Sequence, residues 1–232
     1  MKHSPHHAAI DRHPAGETLP RHRHVRGYIA LVVGGDYEEA GDQGRLVAYA
    51  GTVVAHGDWT AHQDRFGLRG AQVVNLPAVP GFAAGVGQID DPDHAVRLAE
   101  RDPVAAAIYV CDNFRSGVER RDDWPDLLAG ALAADPDLTL GHWAEAMGLD
   151  PASVSRGFAR AYGVTPKRFR LEARTRGALA ALPSWRGSLA DLAADQGFAD
   201  QAHLARSVVA MTGMPPVRFR AKSVQAAAPP RG

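Results

Sequence analysis

Residues 188–207 read SLADLAADQGFADQAHLARS, and residues 212–220 continue as TGMPPVRFR. Ser188 stands at a helix N-cap position, and Leu189, Leu192 and Ala193 recur on one face at helical spacing. The pattern breaks at Gly197, Phe198 and Ala199, and Asp200 caps a second helix predicted over Gln201 to Thr212, with Leu204, Val208 and Met211 inward. Gln201, Ala202, His203, Ala205 and Arg206 are left to face outward. Two helices joined by a three- to four-residue glycine turn form the unit that seats its second helix in a major groove of DNA.

The unit occurs twice. Leu140, Trp143, Ala144 and Gly148 correspond to Leu189, Leu192, Ala193 and Gly197 at an offset of 49. Asp150, Val154, Arg156, Gly163, Pro166, Phe169 and Arg170 correspond to Asp200, Leu204, Arg206, Gly213, Pro216, Phe219 and Arg220 at an offset of 50. The extra residue falls inside the second turn, which marks that turn as a loop. The first leading helix is predicted over Thr139 to Met147. Its partner has Asp150 as cap, Pro151 at the first helical position and Val154, Phe158 and Tyr162 inward. Ala152, Ser153, Ser155, Arg156 and Arg160 then face outward or sideways.

Charge separates the same region from the rest. The chain of 232 residues is formally neutral, with 26 basic and 26 acidic side chains. Residues 151–232 nevertheless hold 13 basic against 4 acidic, a net of +9, whereas residues 122–150 hold seven acids and no Lys or Arg. A basic segment carrying matched arginines in matched helices is the electrostatic footprint of a DNA-binding module.

These residues resemble the signature of the AraC/XylS-type transcriptional regulators. The resemblance combines the glycine–aromatic turn, the aspartate cap, the recognition-helix arginine and the Gly-x-x-Pro-x-x-aromatic-Arg exit, and it covers about Asp122 to Lys222. It implies a seven-helix module with two recognition helices in successive major grooves, joined by a long helix, here Pro166 to Leu182. Lys167, Arg168, Arg170, Arg174 and Arg176 would then serve phosphates. The implied base-facing residues are Ala152, Ser153, Ser155 and Arg156 in the first unit, and Gln201, Ala202, His203, Ala205 and Arg206 in the second. Ala152, Gly157 and Val208 are smaller than is usual there, and Gly157 costs its helix about 1 kcal/mol relative to alanine.

The N-terminal half is different in texture. Tyr28–Val33, Arg45–Ala50, Thr52–Ala55 and Ala71–Leu76 read as strands separated by glycine turns, which predicts a small antiparallel barrel or sandwich. Eight of the eleven histidines lie between His3 and His62. His22 and His24 share a strand face, with His62 on another strand, a spacing that resembles the two motifs of the cupin barrel. The resemblance implies a glutamate four or five residues after His24, but Tyr28 and Ile29 stand there. Three histidines and water would still hold zinc, iron or manganese. Equally, the histidines would line a pocket for a small organic effector. His56 reads either as a substitute ligand or as a turn histidine.

The expected class is therefore α+β: a cupin-like β-barrel sensor over 1–90 with a mobile arm over 1–20, a helical linker over 91–121, an all-α double helix-turn-helix domain over 122–222 and a disordered tail over 223–232. The arm holds His3, His6, His7 and His13. The linker helices include Ala95, Leu98 and Ala99, then Ile108, Cys111 and Phe114 inward, and would offer homodimer contacts. With one cysteine, no disulfide or multi-cysteine metal site is available, which suits the cytoplasm, and no apolar run has membrane-spanning length. The leading expectation is a sequence-specific regulator with no catalytic residues. It would bind double-stranded DNA, respond to a small molecule or metal, and contact RNA polymerase if an activator. A metal-dependent cupin enzyme, a three-histidine dioxygenase or isomerase with an accessory helical domain, is the alternative. A plain interaction module without effector is a third reading.

Overall fold

A computed structural model describes residues 10–117, 121–135 and 138–220. The chain divides into two compact units, one reaching Asp126 and including 161–163, the other formed by 127–160 and 164 onward.

Among the described residues the first unit is an antiparallel sheet of eight strands with two helices. The strands are β1 (Ile10–His13), β2 (Thr18–Arg23), β3 (Tyr28–Gly41), β4 (Gly44–Tyr49), β5 (Thr52–His56), β6 (Ala61–Pro77), β7 (Gly85–Gln88) and β8 (Arg115–Ser116). β3 and β6 pair along nearly their whole length and form the spine. One half of the spine carries β5 and β1, the other β4 and β2. Between the halves Gly35 faces Ala71 and Tyr37 faces Phe66, so residues 67–70 loop out opposite Asp36. Gly35 has φ +68°, and a Cβ there would lie 2.0 Å from the Gly70 carbonyl oxygen. Only glycine accommodates both the left-handed backbone and the close approach. Among the described residues the hydrogen-bonded path runs β1-β6-β3-β5-β7-β8, with β2 also on β6 and β4 on β3.

Both faces of the sheet are buried. Ile29, Leu31, Val53, Ala55, Val74 and Leu76 pack with Ala95, Ala99, Ala106, Ala107 and Val110 of helices α1 (Pro92–Ala99) and α2 (Pro103–Asp112). The alternate residues Ala30, Val32, Val54 and Val73 join Tyr37, Leu46, Ala48 and Phe66 in a second cluster. This alternation follows from the two-residue side-chain period of a strand.

Four expectations change here. Residues 91–121 are no separate linker, because α1 and α2 complete the sheet's core. Ile10–His13 and Thr18–Arg23 are strands paired to β6, so these parts of the arm expected over 1–20 belong to the sheet; His3, His6 and His7 lie outside the described residues. Ile108 is 46% exposed, while Cys111 and Phe114 pack against the core, since the inward face of α2 is set by the small residues Ala106, Ala107 and Val110. His56 ends a strand instead of forming a turn.

The second unit is helical among the described residues: α3 (Trp124–Ala134), α4 (Leu140–Ala146), α5 (Pro151–Tyr162), α6 (Pro166–Ala181), α7 (Leu189–Asp195) and α8 (Gln201–Thr212), with a helical turn at 217–220. The tail expected over 223–232 lies outside the described residues. Thr139, Thr165, Ser188 and Asp200 accept hydrogen bonds from backbone N–H groups as N-caps of α4, α6, α7 and α8, and Ser188 with Asp191 forms a capping box. Phe158 packs edge-on against Phe169 with ring centroids 5.4 Å apart.

Candidate functional site

The two helix-turn-helix units repeat each other in hydrogen bonding. Gly148 and Gly197 have φ of +65° and +69°, and the next residues, Leu149 and Phe198, each donate to a carbonyl of the preceding helix at 2.8 Å. Left-handed glycines thus end both leading helices. Ser153 N–H donates to Asp150 Oδ2 at 2.7 Å, and His203 N–H to Asp200 Oδ1 at 2.6 Å. Val154 and Phe158 in α5, and Leu204 and Val208 in α8, are buried as their spacing requires.

Of the residues expected at bases, Ala152, Ser153, Arg156, Gln201, Ala202 and Arg206 are exposed, and Ser155, His203 and Ala205 are half-buried. A groove of about 410 Å³ is lined by Ser155 of α5, Lys167 of α6 and His203 of α8. A neighbouring groove of about 200 Å³ is lined by Arg168, His203 and Arg206. Candidates from both recognition helices therefore open beside the connecting helix. Exposed Lys167 and Arg168 flank its start, with Arg168 Nε donating to Glu172 at 2.8 Å.

Arg170 and Arg174, expected on phosphates, make hydrogen bonds within the protein. Arg170 donates to the Leu138 carbonyl, and Arg174 Nη1 donates to the Gly197 carbonyl at 2.6 Å. Both tie α6 to a helix-turn-helix unit. Ser207, a position the periodicity leaves unassigned, is buried beside α6.

Within the first unit His22, His24 and His62 converge, one ring nitrogen of each lying within 4.8 Å of the others. Strand register brings His22 opposite His62. His24 Nε2 is 3.1 Å from His62 Nε2, and the Tyr28 hydroxyl is 3.4 and 3.2 Å from these two atoms. His62 Nδ1 is 2.9 Å from Asp64 Oδ1, and His22 Nδ1 is 3.1 Å from the Pro20 carbonyl oxygen. The Pro20 carbonyl only accepts, so His22 Nδ1 donates to it.

Behind these rings lies a buried layer in which His56, expected as a possible substitute ligand, joins Glu39, which the sequence reading did not single out. Glu39 Oε2 is 3.6 Å from His56 Nε2 and 3.7 Å from His62 Nδ1, and among the described residues neither Glu39 Oε2 nor His56 Nε2 has a hydrogen-bond partner. His56 stacks on Tyr28 with centroids 4.5 Å apart. Burial, with Asp64 and Asp42, pushes Glu39 well above the carboxylate range. Burial raises Asp64 to about 7, although His22, His13 and His24 pull it down. Burial, with His22 and Arg21, lowers His62 to about 3, and burial with the other histidines lowers His56. Besides His56, the sequence signal for this layer is the alternation His62-x-Asp64, which puts a carboxyl group on the histidine's face.

The residues fit a metal ion. With metal–nitrogen bonds of about 2.0–2.1 Å, donors lie about 3.3–3.4 Å apart in a tetrahedron and about 2.8–3.0 Å apart along an octahedral edge. The separations of 3.1, 3.2 and 3.4 Å among His24 Nε2, His62 Nε2 and the Tyr28 hydroxyl lie close to these edges, and His22 offers a nitrogen within 4.8 Å of the other histidines. A carboxylate on the remote nitrogen, as Asp64 supplies to His62, is the usual support of a metal-bound imidazole.

Residues 143–222 match the model of a family described as a helix-turn-helix domain. The segment is a helix-turn-helix domain of the AraC type, and the chain that carries it is a DNA-binding transcriptional regulator. The match lends the metal-enzyme alternative no support. No curated protein matches the chain. Solved structures similar to it include ToxT from Vibrio cholerae, at 8% identity over 91% of this chain and 96% of that one, with a TM-score of 0.42. The C-terminal domain of AraT, a response regulator from Geobacillus stearothermophilus, matches at 20% identity over 42% of this chain and 80% of that one, with a TM-score of 0.37. An AraC-type regulator from Chromobacterium violaceum matches at 21% identity over 42% and 89%, with a TM-score of 0.39. No helix among the described residues is long and apolar enough to cross a membrane.

Proposed function

We propose that the chain reads a specific duplex sequence through α5 and α8, and that occupancy of the histidine cluster by a metal ion changes its affinity for that sequence. The observation that carries the first part is the exposure of Arg156 and Arg206 at the same place in two equivalently capped helices. Arginine pairs with guanine through two hydrogen bonds in the major groove, and each such pair discriminates by about 1–3 kcal/mol. Ala152, Ser153, Ser155, Gln201, Ala202, His203 and Ala205 complete the reading surface, with Lys167 and Arg168 on phosphates. Contact with RNA polymerase would follow if the protein activates transcription, and Val104 and Ile108, exposed on α2, suit contact between two copies.

A small organic effector is the second reading for the first unit. It is favoured by a pocket of about 200 Å³ whose lining includes Tyr28, His56, Val79 and Phe82. The test of function is selection of bound duplexes from a random pool, with zinc, iron or manganese added and withheld. An enriched motif whose affinity shifts with metal is the expected result. Retention without enrichment defeats sequence reading, and enrichment indifferent to metal defeats the metal effector.

A further inference from the structure

Tyr28 occupies the place, four residues after His24, where a cupin would supply its carboxylate ligand. Its hydroxyl forms a triangle with His24 Nε2 and His62 Nε2, whose edges are 3.1, 3.2 and 3.4 Å. A cation at the centre of that triangle lies within bonding reach of all three atoms together.

Resting on the metal reading above, we propose that Tyr28 is the fourth protein donor of the ion held by His22, His24 and His62, and that the site consequently favours ferric iron. Phenolate is a hard, anionic oxygen donor, and three neutral imidazoles with one phenolate suit a hard trivalent ion better than a softer one. On binding, the metal–oxygen bond replaces the O–H bond of Tyr28 and the proton passes to solvent. No electron changes hands.

The full chain, stripped with chelator, is titrated with a ferric chelate and separately with zinc, and the visible spectrum and metal content are recorded. The expected result is about one iron per chain and a phenolate-to-iron charge-transfer band. Tyr28→Phe, with its fold checked by circular dichroism, loses the band and binds iron at least tenfold more weakly, while its zinc binding through the histidines falls less. Iron bound without a band, or a band retained in Tyr28→Phe, overturns the assignment and leaves the three-histidine site standing. Failure of the wild type to bind either metal overturns both. If Tyr28→Phe does not fold, resonance Raman of the iron-loaded wild type decides: tyrosinate modes support the assignment, and their absence overturns it.

Discussion

His62 and Asp64, two residues apart on one strand, face the same side of the sheet, with Nδ1 and Oδ1 separated by 2.9 Å. This contact fixes which nitrogen of His62 looks toward His24 and Tyr28, and it places a carboxyl group where solvent cannot stabilise its charge. Asp64 is held up at about 7 by burial, against 3.8 in the unfolded chain. A raised carboxyl pKa contributes stability that is fully present below about 3.8 and is lost as pH rises to about 7. Asp64→Asn keeps an acceptor for His62 but removes that loss. In chelator-treated protein the melting temperature of the variant relative to wild type should therefore rise between pH 4 and pH 7 and level off above. A flat difference across this range would mean that Asp64 ionises normally.

DNA binding by the full chain should be strongly salt-dependent. If about 6–8 phosphates are neutralised, log affinity falls against log salt with a slope of roughly −5 to −7. Fluorescence anisotropy on a labelled duplex between low and physiological salt measures it, and a slope near zero is incompatible with the basic segment acting on phosphates.

Arg206→Ala should weaken binding to the selected site by about 1–3 kcal/mol and relax preference at one base pair. Competition against single-substituted duplexes reads this directly. Equal weakening on random DNA would reassign Arg206 to a phosphate.

Arg174→Met should lower stability by about 1.5–3 kcal/mol, the size of a hydrogen bond to a charged donor, through loss of the Gly197 carbonyl contact. Its salt slope should stay that of wild type. A slope less steep by about one, with unchanged melting, would return Arg174 to the phosphates.

Gly35→Ala should destabilise the first unit, because a Cβ at φ +68° meets the Gly70 carbonyl at 2.0 Å. Urea unfolding followed in that unit is the measure, and an unchanged midpoint would refute the need for glycine at the bend.

The helical half was readable from sequence because its determinants are local. Ser188 and Asp191, Asp200 and His203, Gly148 and Gly197 act within three or four residues of one another, and a 3.6-residue period assigns Val154, Phe158, Leu204 and Val208 inward without knowledge of any partner. Side chains that cross between elements escaped this reading: Arg170 and Arg174 look like surface cations in sequence and turn out to hold distant carbonyls. In the sheet, the pairing of His22 with His62 and the approach of Tyr28, Glu39 and His56 depend on strand register and on a bend at Gly35. Those contacts join residues up to 40 positions apart, through bonds between strands that no local pattern records. Sequence alone therefore determined a tandem helix-turn-helix and the presence of clustered histidines. Only the tertiary structure decided which groups surround those histidines, because burial and long-range pairing, and not spacing, choose the neighbours of a strand residue.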